Sequence, residues 1–299
     1  MRFGFWPGPN NSWSDTLALA RHAETAGWHG IWYADHFMPN AEDTSGPTSE
    51  CWTTLAALAV AVPRVRIGAL VTGNTYRHPA VLAKMAANVD NISGGRCVLG
   101  LGAGWQENEH RAYGINFSTL GGRMNRFEEA CEVVTGLFTN AQTNFTGKHY
   151  QLTDAPLAPK PVQQPLPLLI GGGGEQRTLR IAAKYANEWN VWGTPDLLAR
   201  KGAILDRYCE ELGRDPRSIK HSTQGMLVLT DDAAAVERMK ASGRPVIGGN
   251  GPGVRATIEQ YAEAGVDEVI IPDFNLGATI EAKTAVMDRF AREVMSYFK

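Results

Sequence analysis

Short apolar runs alternate with amphipathic stretches along the first third of the chain. The runs predict strands at 2–6, 30–34, 66–71 and 96–99. The stretches between them have apolar positions at helical spacing and predict helices that end at Gly27, run from Cys51 to Val62, and begin at Pro79. Because the runs are apolar on both faces, they are typical of strands buried in a parallel sheet.

The same alternation continues to the end of the chain. Further strands are predicted at 166–170, 188–192, 218–229 and 268–271, and further helices at 123–138, 176–183, 196–212, 254–264 and 280–297. An insertion at 105–122, a hairpin at 143–152 and a glycine-rich loop at 243–253 interrupt the pattern. Eight strands alternating with helices predict an α/β protein, a single (β/α)8 TIM-like barrel with insertions over residues 1–299. A doubly wound sheet is the alternative, but the absence of a linker favours the closed barrel.

Composition and charge narrow the possible partners. The formal net charge is -2 and no run of Lys or Arg is present, so neither a nucleic acid nor a membrane is expected as a partner. No stretch approaches the roughly 18 apolar residues of a membrane span, and the first residues lack the pattern of a signal peptide. We therefore expect a cytoplasmic protein.

The cysteines are far apart, which predicts buried thiols and no metal site; they are Cys51, Cys97, Cys131 and Cys209.

Two glycine-rich segments follow predicted strands. Gly100 to Trp105 comes after the fourth strand, and Gly171 to Gly174 lies between the fifth strand and a helix. Glycine lets the backbone turn tightly and lets a ligand approach its amides. One such segment is usually only a turn, but two at strand ends of one barrel indicate a ligand site. Arg177 and the amides of 172–176 predict a phosphate site at the next helix, with a helix cap and a surface arginine as the alternative.

The carboxyl ends of the strands are expected to form an apolar, aromatic rim with few ionisable groups, which suits a cofactor that carries the chemistry. The rim comprises Trp6, Asp35, His36, 71–73, 100–105, 171–174 and Trp192. Side chains alternate along a strand, so only one of Asp35 and His36 is expected to face the pocket unless the strand bends. His36 is the candidate acid-base residue because an imidazole titrates near neutral pH. The alternative is a histidine that only makes a structural hydrogen bond.

The other polar residues near the rim are expected to be exposed to solvent or to make structural hydrogen bonds. Glu107 and Glu109 lie in the polar insertion, where we expect solvated carboxylates. Arg77 and His78 precede the helix that begins at Pro79, so we expect them to be structural hydrogen-bond donors.

Taken together, these residues resemble the luciferase-like monooxygenase superfamily, and within it the branch of oxidoreductases that use the deazaflavin coenzyme F420. The resemblance covers nearly the whole chain. Its most specific parts are 32–37, 72–79, 83–86, 92–96, 100–105 and 170–179. It implies a bacterial-luciferase-like barrel that binds the F420 ring at the strand ends. The ring would lie against a backbone bulge near 70–72, which in family members often includes a non-proline cis peptide.

The resemblance also implies roles for single residues. His36 is implied as the catalytic residue that gives or takes a proton. The implied cofactor-binding residues are Asp35, Val71, Thr72, Gly102, Ala103, Gly104 and Trp105 at the ring and its side chain, and Gly172, Gly173, Gly174, Glu175, Gln176 and Arg177 at the phosphate. Trp105 and Asn40 stand where the sugar-phosphate dehydrogenases of this branch have a glutamate and a tryptophan. The resemblance therefore does not extend to glucose 6-phosphate as the substrate.

We predict an oxidoreductase that transfers a hydride between F420 and a small organic substrate. One alternative is a monooxygenase that uses reduced FMN, whose ring and phosphate are similar. Another is a barrel that binds a flavin-like ligand without catalysis. Deazaflavin does not readily form the oxygen adduct that reduced FMN forms. Whether turnover requires oxygen therefore distinguishes the F420 oxidoreductase from the FMN monooxygenase. The resemblance also favours a homodimer.

Overall fold

The computed structural model describes residues 1–298, and these contain thirteen strands and ten α-helices. The strands are β1 (Arg2–Trp6), β2 (Gly30–Tyr33), β3 (Arg66–Ala69), β4 (Thr72–Gly73), β5 (Cys97–Gly102), β6 (Gln142–Thr146), β7 (Gln151–Pro156), β8 (Leu168–Gly171), β9 (Glu188–Asn190), β10 (Lys220–Gln224), β11 (Met226–Leu229), β12 (Val246–Gly249) and β13 (Glu268–Pro272). The helices are α1 (Trp13–Thr25), α2 (Cys51–Ala61), α3 (Pro79–Ser93), α4 (Glu107–Ala112), α5 (Leu120–Thr139), α6 (Thr178–Tyr185), α7 (Pro195–Glu211), α8 (Ala233–Lys240), α9 (Gly251–Glu263) and α10 (Ile280–Glu293).

Eight of these strands form a closed barrel. They are β1, β2, β3, β5, β8, β9, β10 and β13, in that order around the wall, and every pairing is parallel. The circle closes because β1 pairs with β13 and β3 pairs with β5. A doubly wound sheet is open at both edges. The predicted (β/α)8 barrel is therefore confirmed, and the doubly wound alternative is wrong.

The hairpin predicted at 143–152 is confirmed as the antiparallel pair β6 and β7. All four cysteines are buried and free, as predicted. Burial raises the pKa of the Cys97 thiol, so this group stays protonated and packs as a small apolar side chain. Within residues 1–298, no helix has the length and apolar character that crossing a membrane requires.

The strand predicted at 218–229 is two strands, and only the first belongs to the barrel. β10 lies in the barrel wall, whereas β11 leaves it after Gly225 and pairs in parallel with β12. A Cβ at Gly225 would lie 2.5 Å from Cδ1 of Ile247, so glycine allows the β12 side chain to pack there. The prediction of a loop at 243–253 is wrong, because this segment contains β12 and the first residues of α9. Its glycines and prolines obscured a short strand in which only Ile247 is buried.

The indole of Trp32 fills the interior of the barrel toward the amino-terminal ends of its strands. It is almost completely buried, and its Nε1–H donates to Oε1 of Glu268 at 2.8 Å. A Cβ at Gly4 would lie 2.6 Å from Trp32 Nε1, and one at Gly68 would lie 2.7 Å from Trp32 Cζ3. Glycines on the neighbouring strands therefore make the room that this large side chain needs.

A cluster of four charged residues closes the amino-terminal end of the barrel. Glu268 lies 3.4 Å from Nε of Arg2 and 3.3 Å from Nη1 of Arg66, and Glu188 pairs with the same two arginines. Complete burial raises the pKa of the Glu268 carboxyl, and the two guanidinium groups oppose that rise. This cluster lies at the end of the barrel opposite the active face, so its role is structural.

Candidate active site

A cavity of about 500 Å³ opens at the carboxyl ends of the barrel strands. Its lining includes the predicted residues His36, Val71, Thr72, Gly102, Ala103, Gly104, Trp105 and Gly172, and both rim tryptophans, Trp6 and Trp192. A second cavity of about 560 Å³ adjoins it and shares Trp6, Ala34, His36 and Trp105. Neither lining contains Asp, Glu, Lys or Arg among the described residues. The site is therefore roomy, mostly apolar and uncharged.

A break in the third barrel strand forms one wall of the cavity. β3 ends at Ala69, the Leu70–Val71 peptide is cis, and pairing resumes at β4 beside β5. Leu70, Val71 and Thr72 all line the cavity. The bulge and the non-proline cis peptide expected near 70–72 are confirmed.

The side chain of Val71 lies in a cradle of three glycines. A Cβ at Gly102 would lie 3.0 Å from Val71 Cγ2, and one at Gly171 would lie 2.7 Å from the same atom. A Cβ at Gly100 would lie 1.9 Å from the carbonyl oxygen of Ala69. Gly100 and Gly102 belong to β5 itself, so the turn predicted at 100–105 begins only after Gly102. These two glycines allow close backbone approach rather than a turn.

Replacing Gly100 with alanine is expected to lower the free energy of unfolding by about 1–3 kcal/mol, because the new methyl group overlaps a backbone oxygen. Thermal unfolding followed by circular dichroism measures the effect. Gly121→Ala is the matched control, since a Cβ at that exposed position in α5 meets nothing within 4 Å. Equal melting temperatures for the two variants would contradict the close approach.

His36 is held by a buried carboxylate. Its Nδ1 lies 2.8 Å from Oε1 of Glu109, and the N–H of Phe37 donates to Oε2 of the same carboxylate at 2.7 Å. The hydroxyl of Tyr76 also donates to Glu109 Oε1. Because an ionised carboxylate only accepts, Nδ1 of His36 carries the proton and donates it, which leaves Nε2 as the acceptor nitrogen.

The environment of Glu109 keeps this carboxylate ionised. Burial raises its pKa, but the hydrogen bonds from His36, Phe37 and Tyr76 outweigh burial and the net pKa is lowered. Burial and the neighbouring carboxylate both raise the pKa of the Tyr76 phenol, so this group remains a donor. Glu109 is thus a buried carboxylate that orients the imidazole of His36, and His36 lies at the wall of an apolar cavity.

The short helix α4 places Glu109. The next residue, His110, is also buried, and its Nδ1 donates to the carbonyl oxygen of Gln106 at 2.6 Å. Its Nε2 then accepts from Oγ1 of Thr75 at 2.6 Å. The contact with Thr75 fixes the helix against the segment after β4. The prediction that Glu109 is solvated is wrong, whereas Glu107, on the outer face of α4, is exposed as predicted.

Asp35 lies behind the cavity wall and is fully buried. Its Oδ2 accepts from Nη1 of Arg77 at 2.6 Å and its Oδ1 from Nη2 at 3.1 Å. Complete burial raises the pKa of the Asp35 carboxyl, and the Arg77 guanidinium opposes that rise. Arg77 is therefore a structural donor, as predicted. Of the neighbours Asp35 and His36, only His36 lines the cavity, so the contact of Asp35 with a cofactor stays a prediction.

The segment after β8 only partly faces the cavity. Gly172 lines it, and the Gly172 N–H donates to the carbonyl oxygen of Asn190 at 2.8 Å. The backbone amides of 173–178 donate no hydrogen bond to another described backbone group. Nζ of Lys201 donates to the carbonyl oxygen of Gly173 at 2.6 Å and to Oε1 of Glu175 at 3.0 Å. Nη1 of Arg200 also donates to Glu175 Oε1, at 2.7 Å. The segment therefore offers backbone donors with two cations close by, both paired with Glu175.

Arg177 is not part of the cavity lining and is paired elsewhere. Its Nη2 lies 3.4 Å from Oε2 of Glu128, and its Nη1 donates to the carbonyl oxygen of Gly121 at 3.5 Å. Neither Arg177 nor residues 173–176 line the cavity. Their contact with a phosphate stays a prediction. Within residues 1–298, no group of three or more His, Cys, Asp or Glu side chains is arranged to hold a metal ion.

Comparison with known proteins identifies the family of the chain. The sequence profile described as luciferase-like monooxygenase matches residues 1–279. The chain belongs to the luciferase-like monooxygenase family. A solved structure described as an F420-dependent secondary alcohol dehydrogenase in complex with an F420-acetone adduct has the same fold, with a TM-score of 0.86 and 21% identity over 99% of this chain and 98% of that one.

Curated relatives of this luciferase-like monooxygenase family member include two dehydrogenases. One, named F420-dependent glucose-6-phosphate dehydrogenase, from Amycolatopsis mediterranei (strain U-32), is 34% identical over 58% of this chain and 50% of its own length. The other, named F420-dependent hydroxymycolic acid dehydrogenase, from Mycobacterium tuberculosis (strain ATCC 25618 / H37Rv), is 30% identical over 73% of this chain and 60% of its own length. The chain thus spans 50 to 60% of the length of these relatives.

Two residues of this luciferase-like site escaped the sequence prediction. Glu109 and Tyr76 meet His36 only in the folded chain, because Glu109 lies 73 residues from His36 and 33 from Tyr76. The burial of Glu109 has one local signal, since Glu109 and His110 share one face of a short helix whose other face carries Glu107 and Arg111. Nothing in the spacing indicates the partner of either residue.

Proposed function

We propose that the chain is an oxidoreductase that transfers a hydride between F420 and a small organic substrate. The observation that carries the proposal is His36 on the wall of the cavity at the active face of the barrel, with its Nδ1 2.8 Å from Oε1 of Glu109, a buried carboxylate outside the lining. The names of the two curated relatives support F420 as the cofactor. The same cavity without a proton-transfer group would suit a binding protein equally well.

The residues of the cavity fit a planar cofactor with a phosphate. Gly102 and Gly171 put no side chain beside Val71 on this wall of the cavity. Next to the lining, the amides of 173–178 suit an anion, with Lys201 and Arg200 close by, both paired with the Glu175 carboxylate. Gly102, Ala103, Gly104 and Trp105 would line the ring, and Gly172 to Arg177 would hold the phosphate. When bound, F420 supplies a carbon centre that accepts or donates a hydride.

His36 handles the proton in this proposal. In the direction of alcohol oxidation, Nε2 accepts the hydroxyl proton while the carbon–hydrogen bond breaks as a hydride and a carbonyl forms. In the opposite direction the imidazolium returns that proton. Glu109 keeps Nδ1 protonated and stabilises the imidazolium. The apolar walls exclude water from the reacting groups and hold the two reactants together.

Titration of the purified protein with F420 and with FMN tests the choice of cofactor. Emission of the cofactor and of the rim tryptophans is expected to show F420 binding at least tenfold tighter, a difference of about 1.4 kcal/mol. Turnover with F420 is expected to be the same with and without oxygen. Tighter binding of FMN, together with turnover that requires oxygen, would contradict the proposal and favour the monooxygenase. A homodimer and a cytoplasmic location stay predictions.

A further inference from the structure

The two cavities at the carboxyl ends of the strands divide the mouth of the barrel between them. Most residues that line only the first cavity belong to β4, β5, β8, β9 and β10 or follow these strands. Those that line only the second cavity lie within 9–10 and 38–48, after β1 and β2, and at Gln106 and Phe274, after β5 and β13. Two molecules can therefore occupy the mouth side by side.

The boundary between the two cavities holds the acid-base residue. Trp6, Ala34, His36 and Trp105 line both cavities, and no other described residue does. The rings of His36 and Trp105 meet edge to face, with their centres 5.4 Å apart. Hydride transfer requires the two reacting carbons to be about 3–3.5 Å apart. A cofactor in one cavity and a substrate in the other would meet at this boundary, beside the group that handles the proton.

The segment after β8 decides which cavity suits the cofactor. The amides of 173–178 follow Gly172, which lines the first cavity, and no residue of this segment lines the second. A cofactor with a phosphate therefore fits the first cavity and leaves the second to the substrate. The second cavity also has its own opening to solvent, because Asn40, Gly46 and Pro47 in its lining are exposed. A substrate can enter there while the cofactor stays in place.

One wall of the second cavity is held in place by side-chain hydrogen bonds. Nε2 of Gln106 donates to the carbonyl oxygen of Met38 at 2.9 Å, and Nδ2 of Asn108 donates to the carbonyl oxygen of Pro39 at 3.0 Å. The next residue along the chain is Glu109, the carboxylate of the acid-base pair. The same short segment therefore fixes this wall and the proton-transfer group.

The lining of the second cavity is mainly apolar. It contains two tryptophans, a phenylalanine, three prolines and a methionine, and no Asp, Glu, Lys or Arg among the described residues. Phe274 packs edge to face on Trp6, with the ring centres 5.1 Å apart. The guanidinium of Arg244 lies 5.9 Å from the ring centre of Phe274, but Arg244 is exposed and does not line the cavity. The body of a bound substrate therefore contacts apolar surface, and any charge that it carries lies outside the lining.

We propose that the second cavity is the substrate compartment, and that the substrate is an alcohol, or the corresponding carbonyl compound, with an apolar body at least as large as a cyclohexane ring. The volume of about 560 Å³ is typical of pockets that enclose a whole small-molecule ligand, and a short-chain alcohol would leave most of it unfilled. The proposal rests on the function proposed above. In the direction of oxidation the hydride passes to F420 in the first cavity and the hydroxyl proton to Nε2 of His36.

The test uses cyclic alcohols from cyclopentanol to cyclooctanol as probes, with myo-inositol as a polar ring of the same size as cyclohexanol. Their dissociation constants from the F420-loaded protein are measured by tryptophan emission, and release of F420 is followed by its own emission. Two variants change only the second cavity: Thr48→Trp fills part of it, and Phe274→Ala removes an aromatic wall. Leu212→Ala is the matched control, since it truncates a large apolar side chain that is exposed outside both cavities. The dissociation constant of F420 and the melting temperature are measured for every variant.

Affinity is expected to rise about fourfold with each added methylene, the effect of burying one such group, and F420 is expected to stay bound. Thr48→Trp and Phe274→Ala should each weaken cyclooctanol binding about tenfold and leave the affinity for F420 unchanged, while Leu212→Ala changes neither.

The substrate compartment is overturned if the alcohols displace F420, or if both folded variants of the second cavity bind them like the wild type. The apolar substrate is overturned if affinity does not change with ring size, or if myo-inositol binds more tightly than cyclohexanol. If the wild type binds FMN but not F420, the proposed function fails, and the same measurements on the FMN-loaded protein decide the role of the second cavity. A wild type that binds neither cofactor overturns both proposals.

Discussion

Replacing His36 with alanine is expected to lower turnover with F420 by about 100- to 10,000-fold, the contribution of a positioned acid-base group. The reason is that no other ionisable side chain among the described residues lines the cavity except the Tyr76 phenol, whose pKa is raised by burial and by Glu109. Affinity for F420 should change much less than turnover, because every other lining residue of the cavity is unchanged. Anaerobic assays of F420 reduction or oxidation, with the dissociation constant measured in parallel, give both quantities.

Two neighbouring glutamates supply the control for the role of His36. Glu109→Gln removes the charge that orients and stabilises the imidazolium, so turnover should fall while the protein remains folded. Glu107→Gln changes the same group on the exposed face of α4 and should behave like the wild type. If His36→Ala retained most of the wild-type turnover, or if both glutamate variants behaved alike, proton transfer through this pair would be wrong.

Replacing Glu268 with alanine is expected to lower the free energy of unfolding by about 3 kcal/mol, the low end of the range for breaking a buried ion pair. The change leaves Arg2, Arg66 and the Trp32 N–H without their shared acceptor. The low end applies because both arginines still pair with Glu188 and are partly exposed to water. The exposed fraction of the side chain is 31% for Arg2 and 24% for Arg66. Denaturant unfolding measures the loss, with the same slope of unfolding free energy against denaturant concentration used for the wild type and the variant.

Glu263→Ala is the comparison for Glu268, since its side chain is exposed at the end of α9. A surface substitution of this kind changes stability by no more than about 0.5 kcal/mol. Glu268→Gln keeps an acceptor for Trp32 and should lose less stability than Glu268→Ala. Similar stabilities for Glu268→Ala and Glu263→Ala would show that the charged cluster does not stabilise the barrel.

Local patterns predicted most of the fold because strands and helices each have a characteristic period. Seven of the eight barrel strands match the predicted runs closely, and the eighth, β10, begins the predicted run at 218–229. The prediction failed at β12 because that strand is short. It consists of two apolar residues followed by two glycines, so it gives too few positions for a period to be visible.

The sequence by itself determined the alternation of strands and helices, the glycines beside β3, and the face of the barrel where His36 and the tryptophans lie. All of these depend on neighbouring residues and on the rule that parallel strands share one carboxyl end. Only the tertiary structure decided that Glu109 holds His36 and that Arg77 pairs with Asp35. These contacts join residues 73 and 42 positions apart. The distance between two side chains depends there on the packing of several elements, which no local pattern encodes.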